Sequence, residues 1–107
     1  MGAWIELGAA IVLEVAGTTA LRLSQGFTRW LWVGAFTLTY AASFYLFARS
    51  LRVIPLGVSY AVWSGVGTVL TAGIGYVLFA ESFSPVQLAG IALVVGGVLL
   101  LNLGAVR

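Results

Sequence analysis

Four long runs of apolar residues, separated by three short polar connections, make up almost the whole chain of 107 residues. Each run approaches the length of about 20 residues that an α-helix needs to cross the hydrocarbon core of a bilayer. The strands of a membrane barrel would alternate in polarity over about 10 residues, and the runs here are unbroken. The pattern predicts an all-α membrane protein with four transmembrane helices, at about residues 4–23, 30–50, 55–80 and 85–103.

The residues between the runs carry signals that end one helix and begin the next. Gly26 suits a left-handed cap at the end of the first helix, and Thr28 suits the N-cap of the second. Pro55 lies near the first turn of the third helix, where its missing N–H costs least. Residues 84–87, with the sequence SPVQ, match a capping box that begins the fourth helix. Because every connection is short, neighbouring helices are expected to run antiparallel within one domain over residues 1–107.

Composition restricts the function to the membrane. Hydrophobic residues make up 62% of the chain and charged residues 7%, whereas a soluble domain carries roughly a quarter charged residues. The absence of Cys and His excludes disulfides, thiolate chemistry and the usual zinc sites. The net charge of +2 is too small for a nucleic-acid surface, and no phosphate-binding loop motif is present. We therefore expect no metal, cofactor or nucleic-acid partner, and an ion gradient or membrane potential must drive any uphill transport.

The arginines give almost no preference for one orientation in the membrane. With four spans, Arg49, Arg52 and Arg107 fall on one side, and Arg22 and Arg29 fall on the other. The positive-inside rule counts basic residues near the ends of spans, and this difference hardly decides between the two orientations. A chain with so little bias can insert both ways, so an antiparallel homodimer is plausible. Two oppositely inserted subunits would reproduce the inverted repeat that many transporters build within one chain.

Glu14 is the acid on which we expect the function to depend. It lies about ten residues into the first helix, roughly 15 Å from the start of that helix and near the middle of the bilayer. A carboxyl group there is costly, so it should face protein or a cavity. One interpretation is a protonated Glu14 that only bonds helices together; we favour a cavity in which it trades a proton for a cation. The residues that share its face are mostly small or apolar: Leu7, Ala10, Ile11, Gly17, Thr18 and Leu21.

The other two acids are expected near the membrane surface. Glu6 lies two turns before Glu14 and is interpreted as a solvated or snorkelling residue at the edge of the bilayer. Glu81 falls in the third connection and is expected to be exposed to water.

Aromatic residues on the second and third helices suit a pocket for a cation. Tyr40 and Phe44 share one face of the second helix, beside Ser43, and Tyr60 and Trp63 share one face of the third. Aromatic faces attract a cation by about 0.5–2 kcal/mol per favourable contact, so a buried acid with such neighbours fits a hydrophobic cation. Two further aromatics are assigned to packing, and three tryptophans near helix ends to the interfacial belt: Phe36 and Phe47, then Trp4, Trp30 and Trp32.

Glycines on the third and fourth helices are interpreted as structural. Gly65 and Gly67 follow Trp63 and form a candidate hinge, because glycine permits a bend in a membrane helix. Gly90 and Gly97 belong to a helix with no ionisable side chain before its end. The expected role of this fourth helix is therefore packing against another helix, between subunits.

Three segments taken together resemble the small multidrug resistance family. They are residues 13–19 (LEVAGTT), residues 26–29 (GFTR) and residues 54–67 (IPLGVSYAVWSGVG). The likeness covers essentially the whole chain, including its length. Residues 17–19 after the acid, and Ser64 after Trp63, favour the multidrug, quaternary ammonium branch over the branch that exports guanidinium.

The resemblance implies a dual-topology, antiparallel homodimer of a bacterial inner membrane that exchanges protons for lipophilic, often aromatic, cations. It implies that Glu14 binds both the proton and the substrate, and that Trp4 lies near the site rather than only in the belt. It also matches the glycines of the third helix to the family's bend, and Gly90 and Gly97 to its dimer contact. The predicted pocket comprises Trp4, Ala10, Ile11, Gly17, Thr18, Tyr40, Ser43, Phe44, Tyr60 and Trp63.

Two residues depart from the pattern of the family, and other functions stay open. Arg22 stands where the family usually has lysine, and Glu6 is not part of the familiar pattern. A transporter of guanidinium or polyamines is the nearest alternative, and a structural subunit in which Glu14 only joins helices is another. A channel is disfavoured because one acid gives no polar path across the bilayer. An enzyme is disfavoured because no nucleophile–base pair or metal constellation is visible.

Overall fold

The structure is a computed structural model that describes residues 2–105, apart from the side chains at positions 102, 104 and 105. It contains four α-helices: α1 (Gly2–Leu23), α2 (Trp30–Ser50), α3 (Leu56–Phe79) and α4 (Pro85–Ala105). No strand occurs between residues 2 and 105. The prediction of an all-α chain with four helices is confirmed. Arg107, which the charge balance includes, lies outside the described residues.

The helices present the surface that a membrane requires. α1, α2 and α3 are long and apolar enough to cross a bilayer, and α4 adds a shorter apolar stretch, Pro85–Leu101. Large apolar side chains are exposed along all four helices. Such a surface is stable where lipid tails replace water, because each helix satisfies its own backbone hydrogen bonds.

The connection between α1 and α2 contains three consecutive residues in the left-handed conformation. Gly26 has a left-handed φ of 73°, as predicted, but it lies three residues after the end of α1 at Leu23. Gln25 and Phe27 on either side also have positive φ angles, of 50° and 67°. This conformation is uncommon for residues other than glycine, so the connection has to be held in place by its own contacts.

The predicted N-cap of α2 is wrong by one residue. Arg29 occupies the N-cap position, without a side-chain hydrogen bond to the helix. Thr28 Oγ1 donates instead to the carbonyl groups of Ser24 and Gln25, at 3.1 and 2.9 Å. The hydroxyl group is therefore used inside the connection, which a capping pattern along the chain does not reveal.

The ends of α3 and α4 follow from local chemistry. α3 begins directly after Pro55, and it ends one residue before the predicted position because Ala80 is left-handed, with a φ of 55°. The capping box of α4 is confirmed. The Ser84 N–H donates to Gln87 Oε1 at 2.8 Å, and the Gln87 N–H donates to Ser84 Oγ at 3.2 Å.

The chain forms two compact units, residues 1–55 with α1 and α2, and residues 56–107 with α3 and α4. In the first unit the helices are antiparallel, because contacts that advance along α1 move back along α2. These contacts join Glu6 to Arg49, Ala10 to Ser43 and Glu14 to Tyr40. The buried residues of α1 are Ala3, Leu7, Ala10, Ile11, Val15, Gly17 and Ala20. That all four helices form one domain stays a prediction.

Candidate functional site

Glu14 lies near the middle of α1, about 18 Å from Gly2 at 1.5 Å per residue, and is partly buried. Thr18 Oγ1, one turn further along α1, donates a hydrogen bond to Glu14 Oε2 at 2.8 Å. The Tyr40 hydroxyl of α2 donates to the same oxygen at 3.1 Å. Thr18 Oγ1 and the Tyr40 hydroxyl are also in hydrogen-bond contact, at 2.8 Å. The three oxygens form a closed triangle in the middle of the α1–α2 unit.

A second hydrogen bond between the helices fixes α2 at this height. Ser43 Oγ donates to the carbonyl oxygen of Ala10 at 2.7 Å, and both residues are fully buried. Ala10 precedes Glu14 by one turn, and Ser43 follows Tyr40 by nearly one turn. Other hydroxyl groups of α2 donate to carbonyl groups of their own helix: those of Thr37, Thr39 and Ser50. The Ser43 hydroxyl is thus used in helix packing here, and its contact with substrate stays a prediction.

Gly17 allows the Tyr40 ring to reach the acid. A Cβ atom at position 17 would stand 2.5 Å from Thr39 Oγ1 and 2.5 Å from Tyr40 Cδ1. Real side chains do not approach so closely, so any larger residue would push α2 or the ring away. The small face that the sequence predicts around Glu14 therefore serves close approach of α2 at this level.

Aromatic rings extend from Tyr40 in both directions along α2. The Phe44 ring lies 5.9 Å from the Tyr40 ring between centroids, at an angle of 89°. The Phe36 ring lies closer, at 4.5 Å and an angle of 48°. The sequence pattern assigns Phe36 to packing, but its ring is the nearer neighbour of the tyrosine that bonds the acid.

The predicted residues of α3 lie in the second unit. Tyr60 is exposed and Trp63 is partly buried, and their ring centroids are 6.3 Å apart. Gly65 packs against α4, because a Cβ atom there would collide with the Val98 side chain. α3 is an unbroken helix through Gly65 and Gly67. Close packing is therefore the observed role of Gly65, and the hinge stays a prediction.

The remaining predicted site residues occupy different environments. Trp4 is half-exposed and Ile11 is buried. Among the described residues, nothing beyond the backbone of α4 and the adjoining residues lies within 4 Å of a Cβ built at Gly90 or Gly97. The dimer contact predicted at these two glycines is untested and stays a prediction.

Sequence reasoning missed an ion pair at the end of the α1–α2 unit. Arg49 Nε donates to Glu6 Oε2 at 2.6 Å, with side chains that are 45% and 23% exposed. The interpretation of Glu6 as a solvated edge residue therefore needs correction. The cation that pairs with Glu6 is Arg49 of α2, which the antiparallel pairing of the two helices brings beside it. Placing the two helices antiparallel, with Glu14 opposite Tyr40, would have predicted that Glu6 lies near Arg49.

Known proteins match nearly the whole chain. The profile of a family described as Small Multidrug Resistance protein matches residues 2–94. The chain belongs to this family. The multidrug resistance protein EbrB of Bacillus licheniformis is 46% identical over 102 residues, which cover 95% of this chain and 86% of the relative. The multidrug transporter EmrE of Escherichia coli is 44% identical, and the quaternary ammonium compound-resistance protein QacE of Escherichia coli is 40% identical. Each of these two matches covers 96% of this chain and 94% of the relative.

Membership of the small multidrug resistance family defines the kind of protein. This small multidrug resistance protein is a helical membrane transporter and not an enzyme. The match includes the whole of α1, α2 and α3, and the first part of α4. The resemblance that three short segments indicate is therefore confirmed along the chain.

Proposed function

We propose that this protein exports lipophilic and aromatic cations across the bacterial inner membrane in exchange for protons. The names of its relatives support the class of substrate, since EmrE is described as a multidrug transporter and QacE as a quaternary ammonium compound-resistance protein. The proton and the cation compete for Glu14 in this proposal. Protons are the coupling ion, and no other cofactor takes part.

The hydrogen-bond triangle at Glu14 is the observation that supports proton binding. An ionised Glu14 leaves two hydroxyl hydrogens, those of Thr18 and Tyr40, for three short contacts between oxygens. A proton on Glu14 supplies a third hydrogen, so that each contact can have a hydrogen of its own. The triangle is therefore suited to hold a proton deep in the membrane without water.

The same acid suits a cation once the proton has left. A carboxylate in the interior of a membrane needs a counter-charge, and a lipophilic cation supplies one at a small cost of dehydration. The rings of Tyr40 and Phe44 lie along the same helix and offer faces for cation–π contacts of about 0.5–2 kcal/mol each. Neutral and anionic compounds gain no charge pairing, so both charge and apolar area determine selectivity.

Competition for one acid couples export to the proton gradient. Each ligand weakens the binding of the other, and this coupling of affinities is reciprocal. In the state that opens to the cytoplasm, the cation displaces the proton. In the state that opens outward, the proton displaces the cation. Any net charge that moves is driven by the membrane potential, at about 2.3 kcal/mol per charge per 100 mV.

The partner subunit in this proposal is a second copy of the chain in the opposite orientation. The open face of α4 at Gly90 and Gly97 supports such a contact, because small residues let membrane helices approach closely. With two such copies, the two states of the transporter have the same structure with the roles of the subunits exchanged. Neither state is then favoured by the protein itself.

Transport by the purified protein in liposomes with an imposed pH gradient tests the proposal. The wild-type protein is expected to move tetraphenylphosphonium against the flow of protons. Glu14→Gln keeps the shape of the side chain but cannot ionise, so transport should fall to the background of empty liposomes. Glu81→Gln is the matched control, since it removes an exposed carboxyl group of the connection before α4. Proton-coupled transport by Glu14→Gln, or transport of guanidinium alone by the wild type, would contradict the proposal.

The aromatic pocket has a separate test on α3. Trp63→Ala is expected to weaken tetraphenylphosphonium binding by about tenfold, because ring contacts are lost. Binding of tetramethylammonium should change much less, because this cation covers little of the ring. Equal losses for both cations would remove Trp63 from the pocket.

A further inference from the structure

Phe27, in the connection between α1 and α2, has a backbone conformation that its own sequence does not favour. Its φ of 67° lies in the left-handed region, where a Cβ atom crowds the following carbonyl group. Such positions persist only where surrounding contacts over-determine them, and they cluster at functional sites. Phe27 therefore calls for an account of what holds it and of what it contacts.

Ser24 holds Phe27 in this conformation. The Phe27 N–H donates to Ser24 Oγ at 3.1 Å, and Ser24 Oγ donates to the carbonyl group of Leu21 at 2.7 Å. The carbonyl oxygen of Ser24 accepts the N–H groups of Thr28 and Arg29, at 2.9 and 3.0 Å. Ser24 is fully buried, so the backbone of the connection is held in place at Phe27 by its own hydrogen bonds.

The Phe27 ring begins a continuous series of ring contacts that leads to the acid. Its centroid lies 6.1 Å from that of Phe36, in an edge-to-face arrangement at 77°. Phe36 in turn lies 4.5 Å from Tyr40, and the Tyr40 hydroxyl bonds Glu14. A row of aromatic rings therefore leads from the connection between α1 and α2 to the carboxyl group of Glu14 in the middle of the unit.

We propose that Phe27 and Phe36 form an access contact, a weak binding site at which an aromatic cation rests before it reaches Tyr40 and Glu14. The inference rests on the proposed function, because it needs a cation that binds at Glu14. Ring faces attract a cation without a fixed charge. They can therefore guide the cation along the row without trapping it, whereas a carboxylate at this end would hold it.

The exposure of Phe27 favours an access contact over packing alone. The side chain is 53% exposed, although two hydrogen bonds through Ser24 and an unfavourable φ are used to place it. A ring that served only to fill space between helices would be expected in the interior. About half of Phe27 is therefore accessible to a ligand.

Rates of binding, rather than affinity, distinguish an access contact from the final site. The full-length protein in lipid nanodiscs is mixed rapidly with tetraphenylphosphonium, and tryptophan fluorescence reports binding. Phe27→Leu and Phe36→Leu keep apolar bulk but remove the rings. Each is expected to slow association and dissociation by the same factor, about fivefold for one lost cation–π contact. The dissociation constant should then stay as in the wild type, because the contact lies on the path and not at its end.

Two variants serve as controls. Trp30→Leu removes an exposed aromatic residue at the same end of α2 and should leave both rates unchanged. Phe36→Tyr keeps a ring at position 36 and should retain the wild-type rates, which separates loss of the ring from disturbed folding.

Each other outcome overturns the inference. Unchanged rates in both leucine variants would assign the ring pair to packing. Faster dissociation with a weaker dissociation constant would place the rings in the final site instead of on the path to it. If the wild-type protein binds no tetraphenylphosphonium, the proposed function fails and the access contact fails with it.

Discussion

Different kinds of contact hold the two helices together within the α1–α2 pair and within the α3–α4 pair. Between α1 and α2, hydrogen bonds occur at three levels, from Arg49, Ser43 and Tyr40 of α2 to residues of α1. Between α3 and α4, Gly65 packs closely against the Val98 side chain. Membrane helices associate through both means, because lipid tails leave little hydrophobic force between them. In α1–α2, one of the hydrogen bonds that hold the helices together, that of Tyr40, is made to Glu14 itself.

This difference has a consequence for the effect of mutations. A change at the α1–α2 contact should alter ligand binding and helix packing together, because Tyr40 takes part in both. A change at the α3–α4 contact should first alter stability. The four predictions that follow test this contrast, from the largest expected effect to the smallest.

Gly17→Ala should have the largest effect on binding. The added methyl group would collide with Thr39 and the Tyr40 ring, and such overpacking costs about 1–3 kcal/mol. Affinity for tetraphenylphosphonium, measured by calorimetry in nanodiscs, is expected to fall by about tenfold or more. Gly8→Ala on the same helix is the matched control, because a Cβ atom there has nothing within 4 Å in the described structure. Equal affinities of the two variants would show that α2 does not depend on the space at Gly17.

Gly65→Ala should lower stability and be rescued from α4. Its methyl group would meet Val98, at a cost of about 1–3 kcal/mol in the free energy of unfolding. Val98→Ala in the same chain should restore most of the loss, and Gly73→Ala, in open space within the described structure, should cost little. Unfolding in detergent measures all three. Transport that stays lost after stability is restored would support a hinge at Gly65 in place of packing alone.

Tyr40→Phe separates the hydroxyl group from the ring. The variant keeps the ring contacts with Phe36 and Phe44 but loses the hydrogen bonds to Glu14 and Thr18. A typical hydrogen bond contributes about 0.5–1.5 kcal/mol, so the affinity of the site for the proton should fall by about fivefold and the pH dependence of cation binding should shift. The pH dependence of tetraphenylphosphonium binding measures this change. An unchanged pH dependence would exclude the triangle from proton binding.

The Glu6–Arg49 pair should matter least. It lies at the end of the helix pair with both side chains partly exposed, and exposed ion pairs contribute about 0–1 kcal/mol. Glu6→Gln, Arg49→Gln and the double variant form a thermodynamic cycle whose coupling energy should fall in this range and decrease with salt. A coupling energy well above this range would contradict the assignment of the pair as a weak, partly exposed contact.

The fold and the position of the acid were predictable because each depends on local pattern. Apolar runs set the four helices, the spacing from Ser84 to Gln87 set the start of α4, and depth along α1 set the level of Glu14. The chemistry of single residues also marked Gly26 as left-handed. In each case, the deciding interaction lies within one helix or one turn.

The rest depended on contacts between helices or on competition among donors. Glu6 pairs with Arg49 of α2, and this pairing follows only from the register of the two helices. Ser43 donates to a carbonyl group of α1, at Ala10, while Thr39 donates to a carbonyl group of its own helix. Both hydroxyl groups could bond either kind of acceptor. Thr28 bonds carbonyl groups behind it instead of capping α2. A pattern along the chain does not rank these alternatives.

The central claim is that a proton and a lipophilic cation share Glu14. The most direct test is the release of protons from detergent-solubilised protein when tetraphenylphosphonium is added, measured across pH beside Glu14→Gln. We predict release from the wild type over part of the pH range, and none from the variant. Equal release from both would contradict the claim, as would cation binding to the folded wild type without release at any pH.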